Sequence, residues 1–355
     1  MNNSLLESYT SIKDYYRYSE NEQKSLLEQF ISTNASSFIE NYFGIAGKES
    51  LFNFDFIKKY RNKNKNKDIH TVNLFLLGLH FLKNIILSSS SIIKEHFEYI
   101  WFLACLYHDV AYVIENDRHN KHFDIGNYLD LNFYLGKYNI VHNVYNHSWK
   151  NIKYLNYSQY LIKNYFKYRL EHMNCIDHGI IGGYLLYDGL MKNYDSKFNE
   201  TDKKNYNKFY TGDLEWNIEH HELYAIASHA IIEHNIWFAR KEDDKNNYKK
   251  YGLDELICDE QLNIEKSPLL FYLGLLDSIE PLKLIANKES SASDILRLIS
   301  IEVKNKHIHI KYDDNLKKGN YIDFDKWIEN IASTIKWLDV RVETKNKNEI
   351  LIKVK

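Results

Sequence analysis

Six residues of this chain have types suited to holding metal ions: His70, His108, Asp109, His178, His229 and Asp277. Neutral imidazoles and carboxylates are donors that divalent transition metals take. A carboxylate can also bridge two metals, and a metal pair orients and activates a water for in-line attack on a phosphoryl group. The His108-Asp109 step alone carries little weight. With 16 histidines in the chain, about one His-Asp step is expected by chance at average aspartate usage.

The elements that would position these residues give the set its weight. Phe97, Ile100, Trp101, Ala104, Cys105 and His108 fall at i, i+3, i+4, i+7, i+8 and i+11, one apolar stripe of a helix. His108 then points with the buried face and Asp109 stands beside it. An aspartate near a core is costly unless it is paired or bound to a metal. The construction recurs. His70 shares a face with Leu74, Leu77 and Phe81, and His178 with Ile181, Gly182 and Leu185. His229 lies with Ala225 and Ile226, and Asp277 with Leu270, Leu273 and Gly274. One inward histidine is ordinarily a satisfied core residue; five helices each offering an inward His or Asp is a pattern.

The helices are expected at 69–87, 92–115, 176–193, 219–239 and 267–287, with two or three more before residue 60. Residues 61–68 read as a basic polar loop, and 116–170 as irregular structure with short helices. Polar insertions are expected at 194–213 and 239–252. The ending changes period. Ile301 and Val303 alternate before a KNK turn, with Ile308, Ile310 and Tyr312 after it; Val340 and Val342 are answered by Ile350, Ile352 and Val354. That is a hairpin, then a helix at 323–338, then a second hairpin. The fold class is mainly α, with a small C-terminal α+β (hairpin-helix-hairpin) appendage.

The order His, His-Asp, His, His, Asp resembles the HD-domain metal-dependent phosphohydrolase superfamily over roughly residues 60 to 290. IHTVNLFLLGL (69–79) resembles its opening helix, HGIIGGYLL (178–186) its third-histidine segment, and AIASH (225–229) its "AI, two residues, His" pattern. LLDSIEP (275–281) is similar to the "DxIEP" ending of its dinuclear-metal branch that cleaves dinucleoside tetraphosphates. The resemblance implies an HD-type helical bundle and two divalent transition metals, iron or manganese. One would be held by His70, His108, Asp109 and Asp277; Asp109 would bridge to a second held by His178 and His229. It implies a metal-activated water as nucleophile and a nucleotide or other phosphorylated small molecule as substrate. The chain departs from the branch that cleaves cyclic di-GMP: HDVAY lacks the lysine after the pair, Ala230 stands where that branch pairs a histidine, and the GYP motif is missing.

The resemblance divides the chain into N-terminal helices (1–60), the metal-binding domain (61–298, insertions near 120–170 and 194–213) and the appendage (299–355). Lys283, Arg61 and Lys121 are candidate cations for substrate phosphate. His234, five residues past His229, is turned well away around the helix; it is expected beside the ligands or at the surface, with a ligand role left open, and is a candidate substrate contact. Other readings of the same ligands are a nuclease acting on single strands, a mixed-valent di-iron oxygenase and a non-catalytic nucleotide sensor.

Composition narrows the classes. The 355 residues carry a net charge of −2, without the basic excess of a strongly electrostatic nucleic-acid binder. The three cysteines stand far apart, with no CxxC pair to suggest a disulfide framework or structural zinc. The apolar segments are broken by His80, Lys83 and His108 before reaching the ~20 residues of a membrane span. No basic start followed by an apolar core marks a signal peptide, so a cytoplasmic protein is expected, with a homo-oligomer left open. No P-loop, Rossmann or nucleophile-elbow glycine pattern occurs.

Overall fold

The computed structural model describes residues 4–10, 65–82, 91–115, 130–146, 156–197, 210–211, 214–215, 218–239, 242–257, 261–284, 292–304, 306–313 and 324–355. In chain order they form helices α1 (Leu5–Thr10), α2 (Lys65–Leu82), α3 (Ser91–Tyr107), α4 (Tyr112–Glu115), α5 (Leu131–Lys137), α6 (Gln159–His172) and α7 (His178–Lys197). A short strand pair follows, β1 (Tyr210–Thr211) and β2 (Leu214–Glu215), then α8 (Ile218–Glu233), α9 (Glu242–Lys250), α10 (Pro268–Ile279) and α11 (Ala292–Leu298). The chain ends with β3 (Ile299–Lys304), β4 (His307–Tyr312), α12 (Phe324–Thr334), β5 (Val340–Asn346) and β6 (Glu349–Val354). The described residues are mainly helical, with a four-stranded antiparallel sheet at the C-terminus. Among them no helix is long and apolar enough to cross a membrane.

Two compact units are formed. The first holds α1, α2, α10, α11, α12 and the sheet. Its strand order is β3-β4-β6-β5, with Ile301 opposite Ile310, Ile308 opposite Ile352 and Val342 opposite Ile352. The period-2 alternation expected of the two hairpins is thus present, and Ile299, Ile301, Val303, Ile308, Ile310, Ile350 and Ile352 are buried. Helix α10 starts at Pro268, whose missing N–H costs nothing at that position. At Gly274 a Cβ would lie 2.3 Å from the Trp337 ring, so glycine there admits the indole that follows α12.

The second unit holds α3 to α9. Helices α7 and α8 pack together, and both pack on α3. HGIIGG makes this approach close: a Cβ on Gly182 would lie 2.9 Å from Tyr107 O, and one on Gly183 2.5 Å from Ser228 O. The expected single helix 92–115 is interrupted. Helix α3 ends at Tyr107, a tight turn runs over 108–111, and α4 follows.

The larger departure is α6, a 14-residue helix in a region expected to be irregular with only short helices. Its buried residues Leu161, Ile162, Tyr165, Phe166 and Tyr168 form a helical face. Ser158 caps it, accepting from Leu161 N at 3.1 Å. Tyrosine and asparagine diluted the apolar signal, although the tyrosine rings are part of the core. Apart from α1, the N-terminal helices expected before residue 60 lie outside the described residues, as do Arg61, Lys121 and the Lys283 side chain.

Candidate metal centre

The second unit gathers His108, Asp109, His178 and His234. His108 follows the last turn of α3, and its N–H still reaches Ala104 O at 3.0 Å. The apolar stripe therefore carries its ring inward, where it is fully buried. The turn after it (Val110 N to Tyr107 O, 3.2 Å; Tyr112 N to Asp109 O, 3.1 Å) places Asp109 beside the ring.

Each imidazole is oriented through Nδ1. His108 Nδ1–H donates to Cys105 O at 2.8 Å, and His234 Nδ1–H to Ile231 O at 2.6 Å. His178 Nδ1–H donates to the Glu115 carboxylate. Carbonyl and carboxylate oxygens only accept, so the proton sits on Nδ1, and in the neutral ring Nε2 keeps the lone pair. Asp109 faces two of these nitrogens: Oδ2 lies 3.5 Å from His108 Nε2 and Oδ1 3.6 Å from His178 Nε2. Ligand atoms of Asp109, His178 and His234 all lie within 4.8 Å of one another. Charge-assisted hydrogen bonds would be about 2.7–2.9 Å. Metal bonds of about 2.0–2.2 Å, by contrast, set neighbouring donors roughly 3.0–3.6 Å apart. The spacing and the donor chemistry fit a divalent transition metal.

Partners beyond the donors hold this arrangement. Tyr112 stacks on His178, with ring centroids 3.8 Å apart. Asp177 caps α7, accepting from Ile180 N at 2.9 Å, and accepts from Asn235 Nδ2 at 2.8 Å. The chain neighbours of His178 and His234 are thereby tied to each other. A Cβ on Gly179 would lie 2.8 Å from His234 Cε1, so the glycine after His178 leaves room for the second ring. Burial alone would raise the Glu115 carboxyl; hydrogen bonds from His178 and Cys175 and the charge of Arg169 outweigh it and hold it below its usual range.

His229 is placed elsewhere. The sequence reading put it among the ligands and His234 outside them; the structure brings His234 to Asp109 and His178 instead. Five helical steps turn a side chain by about 140°, so both cannot face one point. His229 is buried against the edge of Tyr145, at 4.8 Å between ring centroids, and among the described residues neither ring nitrogen has a hydrogen-bond partner. Burial pushes it down to about 3, so it is a neutral ring. A signal for His234 was present: AIASH (225–229) is followed at once by AIIEH (230–234), the same pattern one register on.

The first unit gathers His70 and Asp277. His70 Nε2 lies 3.0 Å from Asp277 Oδ1 and Nδ1 2.6 Å from Glu280 Oε2. Glu280 also accepts from Asn73 Nδ2 and, at 2.8 Å, from Leu282 N. Asn73 in turn accepts from Tyr9 OH at 2.6 Å. Burial would lower His70, but hydrogen bonds and charge from Asp277 and Glu280 push it up to about 9. Glu115 carries no signal in the sequence, because it acts through a ring 63 residues away; Glu280 stands in the DxIEP ending, which gives it no role by itself because its partner ring is 210 residues away.

Compared with protein-family models, with curated proteins and with solved structures, the chain has no significant match.

Proposed function

We propose that this protein is a metal-dependent phosphohydrolase of the HD type, acting on a nucleotide or nucleotide-derived phosphate. The observation that carries the reading is the convergence of His108, Asp109, His178 and His234, with Nδ1 of each ring engaged by an oxygen and Asp109 facing Nε2 of His108 and His178. The order of histidines and aspartates supports the family and, through it, the roles of His70 and Asp277. Iron or manganese suits this nitrogen and oxygen donor set. When bound, metal supplies activation of a water and neutralisation of charge on phosphoryl oxygens. The chain's own work is to fix the donors: the Cys105 and Ile231 carbonyls and the Glu115 carboxylate set tautomer and ring angle, and Asp109 supplies the negative charge between the rings.

Two measurements test the reading together: metal content by elemental analysis, and phosphate release across a panel of nucleotides. The wild-type protein is expected to carry transition metal and to release phosphate from at least one nucleotide. The double change His108→Ala with Asp109→Ala is expected to lose both. A doubly changed protein that kept both would falsify the reading.

A further inference from the structure

Beneath the His178 ring lies a buried ionic network built largely from the segment 159–177. Arg169, on α6, has its side chain 11% exposed. Its Nη2 donates to Glu115 Oε1 at 3.3 Å, and its Nε lies 3.1 Å from Asp177 Oδ2 as an ion pair without hydrogen-bond alignment. These two carboxylates hold His178 from two directions. Glu115 takes the ring Nδ1–H through its other oxygen, and Asp177 caps the helix on which His178 is the first residue. Asp177 also receives Asn235, the neighbour of His234. The guanidinium fork therefore joins the group that orients one ring to the group that ties both ring-bearing segments together. A planar fork can serve two carboxylates in fixed directions, and a lysine ammonium cannot replace it in both.

We propose that Arg169 is a positioning residue of the metal centre, holding Glu115 and Asp177 so that His178 and His234 present Nε2 together. The inference rests on the metal-binding reading above. It adds that helix α6 is part of the centre's support. Arg169 touches neither metal nor substrate; it acts through the two carboxylates.

The test uses the full-length protein stripped with chelator and titrated with Co2+ alone, read by the visible absorption of the bound ion and by the binding constant. Arg169→Lys, which keeps the charge and loses the fork, is expected to weaken Co2+ roughly 10- to 100-fold, the usual effect of removing a group that orients a ligand. The absorption band is expected to change shape. Glu115→Ala is expected to do the same, and Glu115→Gln, which keeps an acceptor for the ring N–H, to recover much of the loss. A merely structural role would lower the unfolding midpoint and leave affinity and spectrum unchanged. If Arg169→Lys does not fold, the Glu115 pair decides on the same readout. His178→Ala separates the two claims. Wild-type Co2+ binding in His178→Ala overturns the metal reading and this inference with it. Loss there, with wild-type affinity and spectrum in Glu115→Ala and Arg169→Lys, overturns this inference alone.

Discussion

At His108 and His178, Nε2 and the carboxylate it faces stand apart; at His70, they touch. Asp109 keeps 3.5 and 3.6 Å from the Nε2 atoms it faces, whereas His70 meets its carboxylates at 3.0 and 2.6 Å. The same residue types thus make an open donor set in one unit and a closed ion pair in the other. At His108 and His234 the difference also lies in where Nδ1 goes. Two of the three rings in the helical unit give Nδ1–H to a backbone carbonyl, which adds orientation without adding charge. His70 gives its Nδ1–H to a buried glutamate, and a second carboxylate waits at Nε2, so the ring is held charged.

The strongest break of that comparison is His234→Ala. It is expected to remove a donor from the open set and to bring metal content down toward background, read by elemental analysis, with helical content unchanged by circular dichroism.

Next comes Glu280→Gln, which tests the closed set. Because His70 is raised from 6.5 to about 9 on folding, its contribution to stability is fully present below about pH 6.5 and is lost as pH rises through about 9. In chelator-treated protein, the urea midpoint is expected to fall between pH 6 and pH 10, and to fall less in Glu280→Gln. At pH 6 the variant is expected to lose toward the lower end of the roughly 3–5 kcal/mol typical of breaking a buried pair, because Asp277 remains. Saturating Mn2+ that abolished the wild-type pH dependence would show His70 giving Nε2 to a metal.

A smaller effect is expected of Gly179→Ala. The new methyl would press on the His234 ring, so Co2+ affinity falls. Stability changes little, because an alanine gains about 1 kcal/mol over glycine inside a helix against an overpacking cost of roughly 1–3 kcal/mol. The smallest is His229→Leu. Replacing a buried ring that has no hydrogen-bond partner among the described residues by an apolar side chain is expected to leave metal content at the wild-type level and the unfolding midpoint unchanged or higher. A loss of metal in this variant would return His229 to the ligand set.

Periodicity made much of this legible. Inward stripes located α2, α3, α7, α8 and α10, with starts within about four residues but the ends of α2, α3, α8 and α10 set too late, and alternation located both C-terminal hairpins. It also carried His70, His108 and His178 to buried faces. It failed at His234, because AIASH and AIIEH offer the same local pattern and a helical wheel cannot choose which end faces a partner on another helix. It failed at α6, whose inner face is built partly of tyrosine. Glu115, Arg169 and Asp177 were beyond it for a different reason: their meaning lies in contacts between segments far apart in the chain, and no spacing rule encodes those.

Cys175 adds a consequence in time. Its thiol donates to Glu115 at 2.6 Å, and burial, with the charge of Glu115, pushes it up to about 12 against the pull of Arg169. Only the thiolate attacks an alkylating reagent. Cys175 is therefore expected to label slowly near neutral pH, and faster in Glu115→Ala, where the hydrogen bond and charge that hold its proton are gone.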